Sequence, residues 1–173
     1  AYATFQAKDD GMVKVEIVGA RGPVAKPESL IDALRSLDGG EGAVLDADMV
    51  CGADHLRSAA MHALRAFGRG DNASSTLAME TLLYASGERQ ITKAMKKVGL
   101  RPGAERVALV LFDVEDVGAV LCALELRRDD AVLEPSLEKA RRFGITEQEL
   151  RAVTHDKYQE LVLERVAFVD LSK

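Results

Sequence analysis

No apolar run in the sequence approaches the roughly 20 residues that a membrane-spanning helix requires. The longest uncharged apolar runs are residues 107–112 and 117–124. No stretch reads as a signal peptide, so the expectation is a soluble cytoplasmic protein with no membrane partner. Cysteine is equally scarce. Cys51 and Cys122 lie far apart in apolar surroundings, with no companion at CxxC spacing. They read as two buried reduced thiols rather than a disulfide or a zinc site. His55, His62 and His155 are the only imidazoles, and none stands in an HExxH pattern. A metal enzyme is therefore not expected, and no cofactor is implied.

The usual catalytic signatures are missing too. Gly19-Ala20-Arg21-Gly22 follows an apolar stretch but forms neither GxGxxG nor GxxxxGK[ST], and it reads as a turn. Asp46 and Asp48 could share one face of a strand, yet no nucleophile or base stands near them in sequence. Ser86 is not part of a GxSxG elbow. The expectation is a protein that is not an enzyme. A small enzyme that assembles its titratable cluster only on folding stays as one alternative.

What the sequence does have is enough apolar material for one core. With 173 residues, 47% of them hydrophobic, residues 1–173 read as a single domain. The net charge of -5 argues against a protein that coats nucleic acid non-specifically. The charge is unevenly spread, however. Residues 52–106 hold nine cations and five anions, a local +4, so the flanks together carry -9.

Periodicity supplies a coarse set of elements. Residues 13–18 read as a strand ended by Gly19 and the Gly22-Pro23 breaker, after a polar start. Residues 28–37 read as a helix and 43–45 as a second strand. The clearest helix spans 54–68, where Leu56, Ala59, Ala60, Ala63, Leu64 and Phe67 recur at helical spacing. Arg57, Arg65 and Arg69 lie on its other side. Further helices are expected at 75–85 and 88–98, separated by Gly87. Residues 106–112 are nearly uniformly apolar and predict a central strand. The patterns then give helices at 115–126 and 137–142, and Thr146 with Glu149 forms a T-x-x-E capping box for another. From residue 156 onward Tyr158, Leu161, Val162, Val166 and Val169 make a helical stripe, although the β-branched content leaves a strand open. The fold class expected is mixed α/β of the α+β type, helix-rich, with a small sheet covered by helices.

A candidate interaction surface lies in the middle segment. Asn72, Ser74, Ser75 and Thr76 cluster at a helix start, where free backbone N–H groups favour anions such as phosphate; capping alone also explains them. Tyr84, Ser86, Gly87, Glu88, Arg89 and Gln90 mark a helix break. Arginine and glutamine can bond phosphates or base edges and tyrosine can stack on an unpaired base, as in the holding of single-stranded RNA ends. Tyr84 could instead be core. Two basic faces flank the break, Arg57/Arg65/Arg69 and Arg89/Lys93/Lys96/Lys97. Each could be an ordinary solvated face.

Residues 71–91, from Asp71-Asn72-Ala73-Ser74-Ser75-Thr76 through Met79, Glu80 and Tyr84 to Ser86-Gly87-Glu88-Arg89-Gln90-Ile91, resemble the signature of the small KEOPS subunit family related to TPRKB, the PRPK-binding protein. Val18-Gly19-Ala20-Arg21, Leu45-Asp46-Ala47-Asp48, Phe143-Gly144-Ile145-Thr146 and Leu163-Glu164-Arg165-Val166-Ala167 agree in the same order, so the likeness spans nearly the whole chain. The resemblance implies a non-catalytic subunit. Its partners would be the small PRPK-like kinase/ATPase of the complex, which it activates, and indirectly the TsaD-like threonylcarbamoyltransferase. It would also recruit tRNA by its 3′ CCA end for threonylcarbamoyl-adenosine modification.

On that basis the tRNA contact is expected at Asn72, Ser74, Thr76, Met79, Glu80, Tyr84, Ser86, Gly87, Arg89, Gln90, Lys93 and Lys97, with Arg57 and Arg65. Met79 or Tyr84 would lie against a base. Kinase docking is expected on Leu161, Leu163 and Phe168, which could equally be core. The competing reading is a purely structural kinase partner without RNA contact.

Overall fold

The computed structural model describes residues 2–7, 11–154 and 156–172. Its sheet is built from β1 (Tyr2–Ala7), β2 (Gly11–Val24), β3 (Glu41–Asp46) and β4 (Ala104–Phe112) in the order β1-β2-β4-β3. A two-residue strand, β5 (Arg127–Arg128), pairs with β2 beside β1. All pairings are antiparallel. Strand β4 is central, as its uniform apolarity predicts. Val107, Leu109 and Leu111 point to one face and Ala108, Val110 and Phe112 to the other, all buried.

Helices cover both faces. On the face of Val107, Leu109 and Leu111 lie α1 (Pro27–Arg35), through Leu30 and Leu34, and α5 (Val117–Ala123), through Leu121. The other face receives α2 (Ala53–Arg69), α3 (Leu77–Ser86) and α8 (Tyr158–Leu171). Alanines 59, 60, 63 and 66 on the buried side of α2 let it lie close to its neighbours. Beyond it, α4 (Ile91–Val98), α6 (Leu137–Phe143) and α7 (Glu147–Ala152) complete the helical layer. Phe143, Ile145, Val162 and Cys51 form a smaller apolar cluster under α6 and α8.

Several boundaries differ from expectation for identifiable reasons. Strand β2 runs through Gly19 to Val24 instead of stopping at Gly19. At that glycine the carbonyl of Asp129 comes so close that a Cβ would stand 2.6 Å from it, so the glycine admits a crossing chain rather than a turn. The polar start contains β1, whose pairing with residues 11–16 of β2 makes a hairpin. Helix α4 begins only at Ile91, because Gly87 at φ 73° closes α3 and Gln90 is extended. The helix read over 115–126 is shortened to α5, with Glu125 at φ 58°. The C-terminal stripe is a helix, with Val162, Val166 and Val169 inward. Thr146 and Glu149 do form the reciprocal capping box. His155 lies outside the described residues.

Candidate functional site

The turn that joins α2 to α3 is held from inside the protein. Gly70 closes α2 in the left-handed conformation, and Thr76 caps α3 by accepting the Met79 N–H at 3.2 Å. Between them the fully buried Glu80 carboxylate accepts the Ala73 N–H at 3.0 Å and the Ser74 N–H at 2.7 Å. Asn72 donates to the Ser74 carbonyl at 2.9 Å. Two amides of this turn, those of Ala73 and Ser74, are therefore already satisfied by an internal carboxylate. Glu80 shapes the turn and does not itself face solvent.

Tyr84 and Ser86 also need correction. Every residue of α3 from Glu80 to Ser86 is buried. Tyr84 is 0% exposed, stacks on His62 with ring centres 5.2 Å apart, and donates its hydroxyl to Asp170 at 2.5 Å. Burial, with the Asp170 contact, pushes the Tyr84 hydroxyl well above its usual range. Its ring is not available to stack on a base. Ser86 donates to the Leu83 carbonyl and accepts the Glu88 N–H, closing the helix end.

Asp170, which the sequence reading did not single out, also takes His62 Nδ1 at 2.8 Å and Arg69 at 3.3 Å. Burial disfavours its charge, but the hydrogen bonds from Tyr84 and His62 outweigh that and hold its carboxyl below the usual range. It fastens the end of α8 to α2 and α3.

The remaining signature residues divide into two groups. Arg89, Gln90, Lys93 and Arg65 are exposed, and Asn72, Ser74 and Thr76 are partly so. Gly87 is exposed at the break itself. Arg89 joins Asp71, Ala73, Leu83, Glu88 and Val169 around a pocket of about 250 Å³. The pocket thus brings together the turn, the helix break and the end of α8. Two cations are otherwise occupied: Arg57 pairs with Asp54, and Lys97 lies half-buried 4.0 Å above the Phe143 ring. Burial lowers the Lys97 pKa. Met79 does not line this pocket; it faces a groove with Ile91 and Met95.

On α8, Leu161 packs against the Phe143 cluster and serves the core. Leu163 is half-buried. Phe168 is 46% exposed, and Leu171, three residues further on the same helix, is 79% exposed. Leu171 escaped the sequence reading because it follows the last residue of the inward stripe.

The arrangement is that of a small α+β domain whose accessible signature residues frame a turn, a helix break and the end of the last helix. Among the described residues no helix is long and apolar enough to cross a membrane. Residues 24–169 match the family described as Kinase binding protein CGI-121. The regulatory protein Cgi121 of Methanocaldococcus jannaschii is 29% identical over 130 residues, which make up 75% of this chain and 83% of that protein. The chain belongs to the CGI-121 kinase-binding family, in agreement with the resemblance carried by residues 71–91.

Proposed function

We propose that this protein is a non-catalytic, cytoplasmic KEOPS subunit that docks on and activates the small kinase/ATPase of the complex. In that role it would recruit tRNA by its 3′ CCA end for threonylcarbamoyl-adenosine formation. Family membership supports the kinase partner. The RNA role rests on the pocket where Arg89 meets the Glu80-held turn. Arg89, Gln90, Lys93 and Arg65 supply exposed polar and cationic groups, while Leu83 and Val169, themselves buried, close the floor of the pocket. Such a contact reads an unpaired end through phosphates and shape.

Gel retardation with intact tRNA and with tRNA lacking its CCA end tests this reading. The intact molecule is expected to bind more tightly, and Arg89→Glu is expected to weaken it about tenfold, the worth of one charge-assisted contact. Added salt should weaken binding in proportion to the phosphate contacts made. Because Arg89 is exposed, the variant's unfolding midpoint should match the parent's. Equal, negligible retention of both tRNAs would leave only a structural kinase partner.

Docking is placed on the outward side of α8, at Phe168 and Leu171, with half-buried Leu163 nearby in sequence. Exposed apolar residues at this spacing form one helix face. Phe168→Asp should reduce kinase co-purification roughly 30-fold, as truncation of an aromatic anchor does. Deletion of the last turn should act in the same direction. Undiminished recovery in both would move the docking face elsewhere.

A further inference from the structure

Asp170 stands where the two proposed surfaces meet. Val169, next to it in sequence, closes the floor of the Arg89 pocket. Phe168 and Leu171 turn outward at the docking end of α8. Asp170 itself accepts the Tyr84 hydroxyl of α3 at 2.5 Å and takes His62 Nδ1 and Arg69 of α2 at 2.8 and 3.3 Å. Arg69 continues the line, because its Nε donates to Asp71 at 3.0 Å and Asp71 lines the same pocket. One guanidinium thus ties the turn after α2 to the end of α8.

The last turn of α8 depends on that tie. A helix C-terminus carries a partial negative charge, which cations stabilise and carboxylates oppose. Here the last turn has no basic residue of its own and holds Asp170 instead. Ser172 returns its N–H and its hydroxyl to the Val169 carbonyl, at 3.2 and 3.0 Å, which closes the turn but does not fasten it to the body. The inward anchors at this end are Val169 and the three bonds to Asp170. Helix termini are where local opening costs least. Two arrangements follow, the last turn seated and the last turn frayed. When it is seated, Phe168 and Leu171 share one helix face, and Val169 and Asp71 complete the pocket. Fraying takes the shape from both surfaces at once.

We infer that the Asp71–Arg69–Asp170 bridge couples the two surfaces, so that a kinase partner seated on Phe168 and Leu171 tightens the grip of the Arg89 pocket on an RNA end. The inference rests on the proposed function and adds a regulation of its RNA site. Each ligand favours the seated turn, and a ligand shifts an equilibrium by its differential affinity for the two states. The coupling is reciprocal, so RNA in the pocket strengthens kinase docking by the same factor. Asp170 acts through its neighbours and is a positioning residue.

The test is fluorescence anisotropy of labelled tRNA with the intact chain, alone and saturated with the small kinase subunit. The kinase should lower the tRNA Kd about fivefold, and saturating tRNA should lower the kinase Kd by the same factor. Asp170→Ala should bring both ratios to one. That change also strips Tyr84 and His62 of their shared partner and costs stability, so Arg69→Gln is the second arm. The Arg69 side chain is 47% exposed, and its variant should keep the parental unfolding midpoint while the ratio falls below twofold. Direct loss of the Arg69 charge weakens the free and the kinase-bound chain alike and cancels in the ratio. A kinase that merely adds RNA contacts of its own would give the same ratio in the parent and in Arg69→Gln, and that result would overturn the coupling. Equal tRNA affinity of the parent with and without kinase would overturn it too, leaving two independent surfaces. Failure of the parent to retain tRNA in either form would instead remove the RNA reading, and the coupling with it.

Discussion

Between pH 6.5 and pH 4 the protein is expected to lose about 3 kcal/mol of folding stability through His55 alone. The ring is buried, 1% exposed, in contact with the edge of Phe143. Its Nδ1 lies 3.0 Å from the Cys51 N–H and its Nε2 lies 2.8 Å from the Ala85 carbonyl. An N–H can only donate and a carbonyl can only accept, so Nδ1 must be bare and Nε2 protonated: the ring is neutral. A second proton at Nδ1 would face the Cys51 N–H. Burial lowers the His55 pKa from 6.5 to about 4; the Ala85 bond opposes the fall, and the charges of Lys97 and Lys139 add to it.

The sign follows from proton counts. Below pH 6.5 the unfolded chain binds a proton at residue 55 that the folded chain refuses until about pH 4. The stability that depends on a neutral His55 is therefore complete above pH 6.5 and falls as the pH drops through that window. Asp170, whose carboxyl is held below its ordinary value of 3.8, loses its contribution only at lower pH. The range from 6.5 to 5 thus lies above the titration of Asp170. Urea unfolding across that range should show a loss of about 2 kcal/mol by pH 5. In His55→Gln, less stable at neutral pH, the slope should be nearly gone. A parent protein of constant stability from pH 6.5 to 5 would show that water reaches His55.

The contrast between β4 or α2 and α3 shows what the sequence makes legible. Strand β4 is apolar at every inward position and α2 carries its alanines and leucines along one side, so period and length identify both. The Thr146 capping box was readable because both partners lie within one turn. Helix α3 is different. It is apolar nearly all round, with Leu77, Ala78, Met79, Leu82, Leu83 and Ala85, so its periodicity does not say which way Glu80, Tyr84 and Ser86 point. The residue that settles Tyr84 is Asp170, 86 positions away, and His62 meets the same carboxylate across 108 positions. No local pattern encodes such pairs. Gly19 misled for a related reason: a glycine that admits the Asp129 carbonyl looks, in one dimension, like a glycine that ends a strand. Arg89, Gln90 and Lys93 were legible as surface because the break at Gly87 puts them outside any apolar stripe.

Glu80→Ala is expected to cost about 3 kcal/mol, through the loss of charge-assisted bonds to two amides of one turn. The carboxylate accepts from Ala73 through both oxygens and from Ser74 through Oε2, seven and six residues back along the chain. Removing it leaves those donors turned toward a space the side chain had filled, inside a core that packs around Leu82 and Tyr84. Glu80→Gln keeps the shape and one acceptor oxygen, so it should cost about half as much.

The two variants also separate stability from recognition. If the turn is held only by Glu80, amide exchange at Ala73 and Ser74 should speed up in Glu80→Ala more than exchange in β4, which reports global unfolding. tRNA retention should then fall although Arg89 is untouched, because the pocket wall built from Ala73 moves. Retention unchanged alongside faster exchange would mean that the turn is a scaffold and that Arg89 and Lys93 act without it. Unfolding midpoints within 0.5 kcal/mol of the parent for both variants would remove the buried carboxylate as the element that fixes this surface.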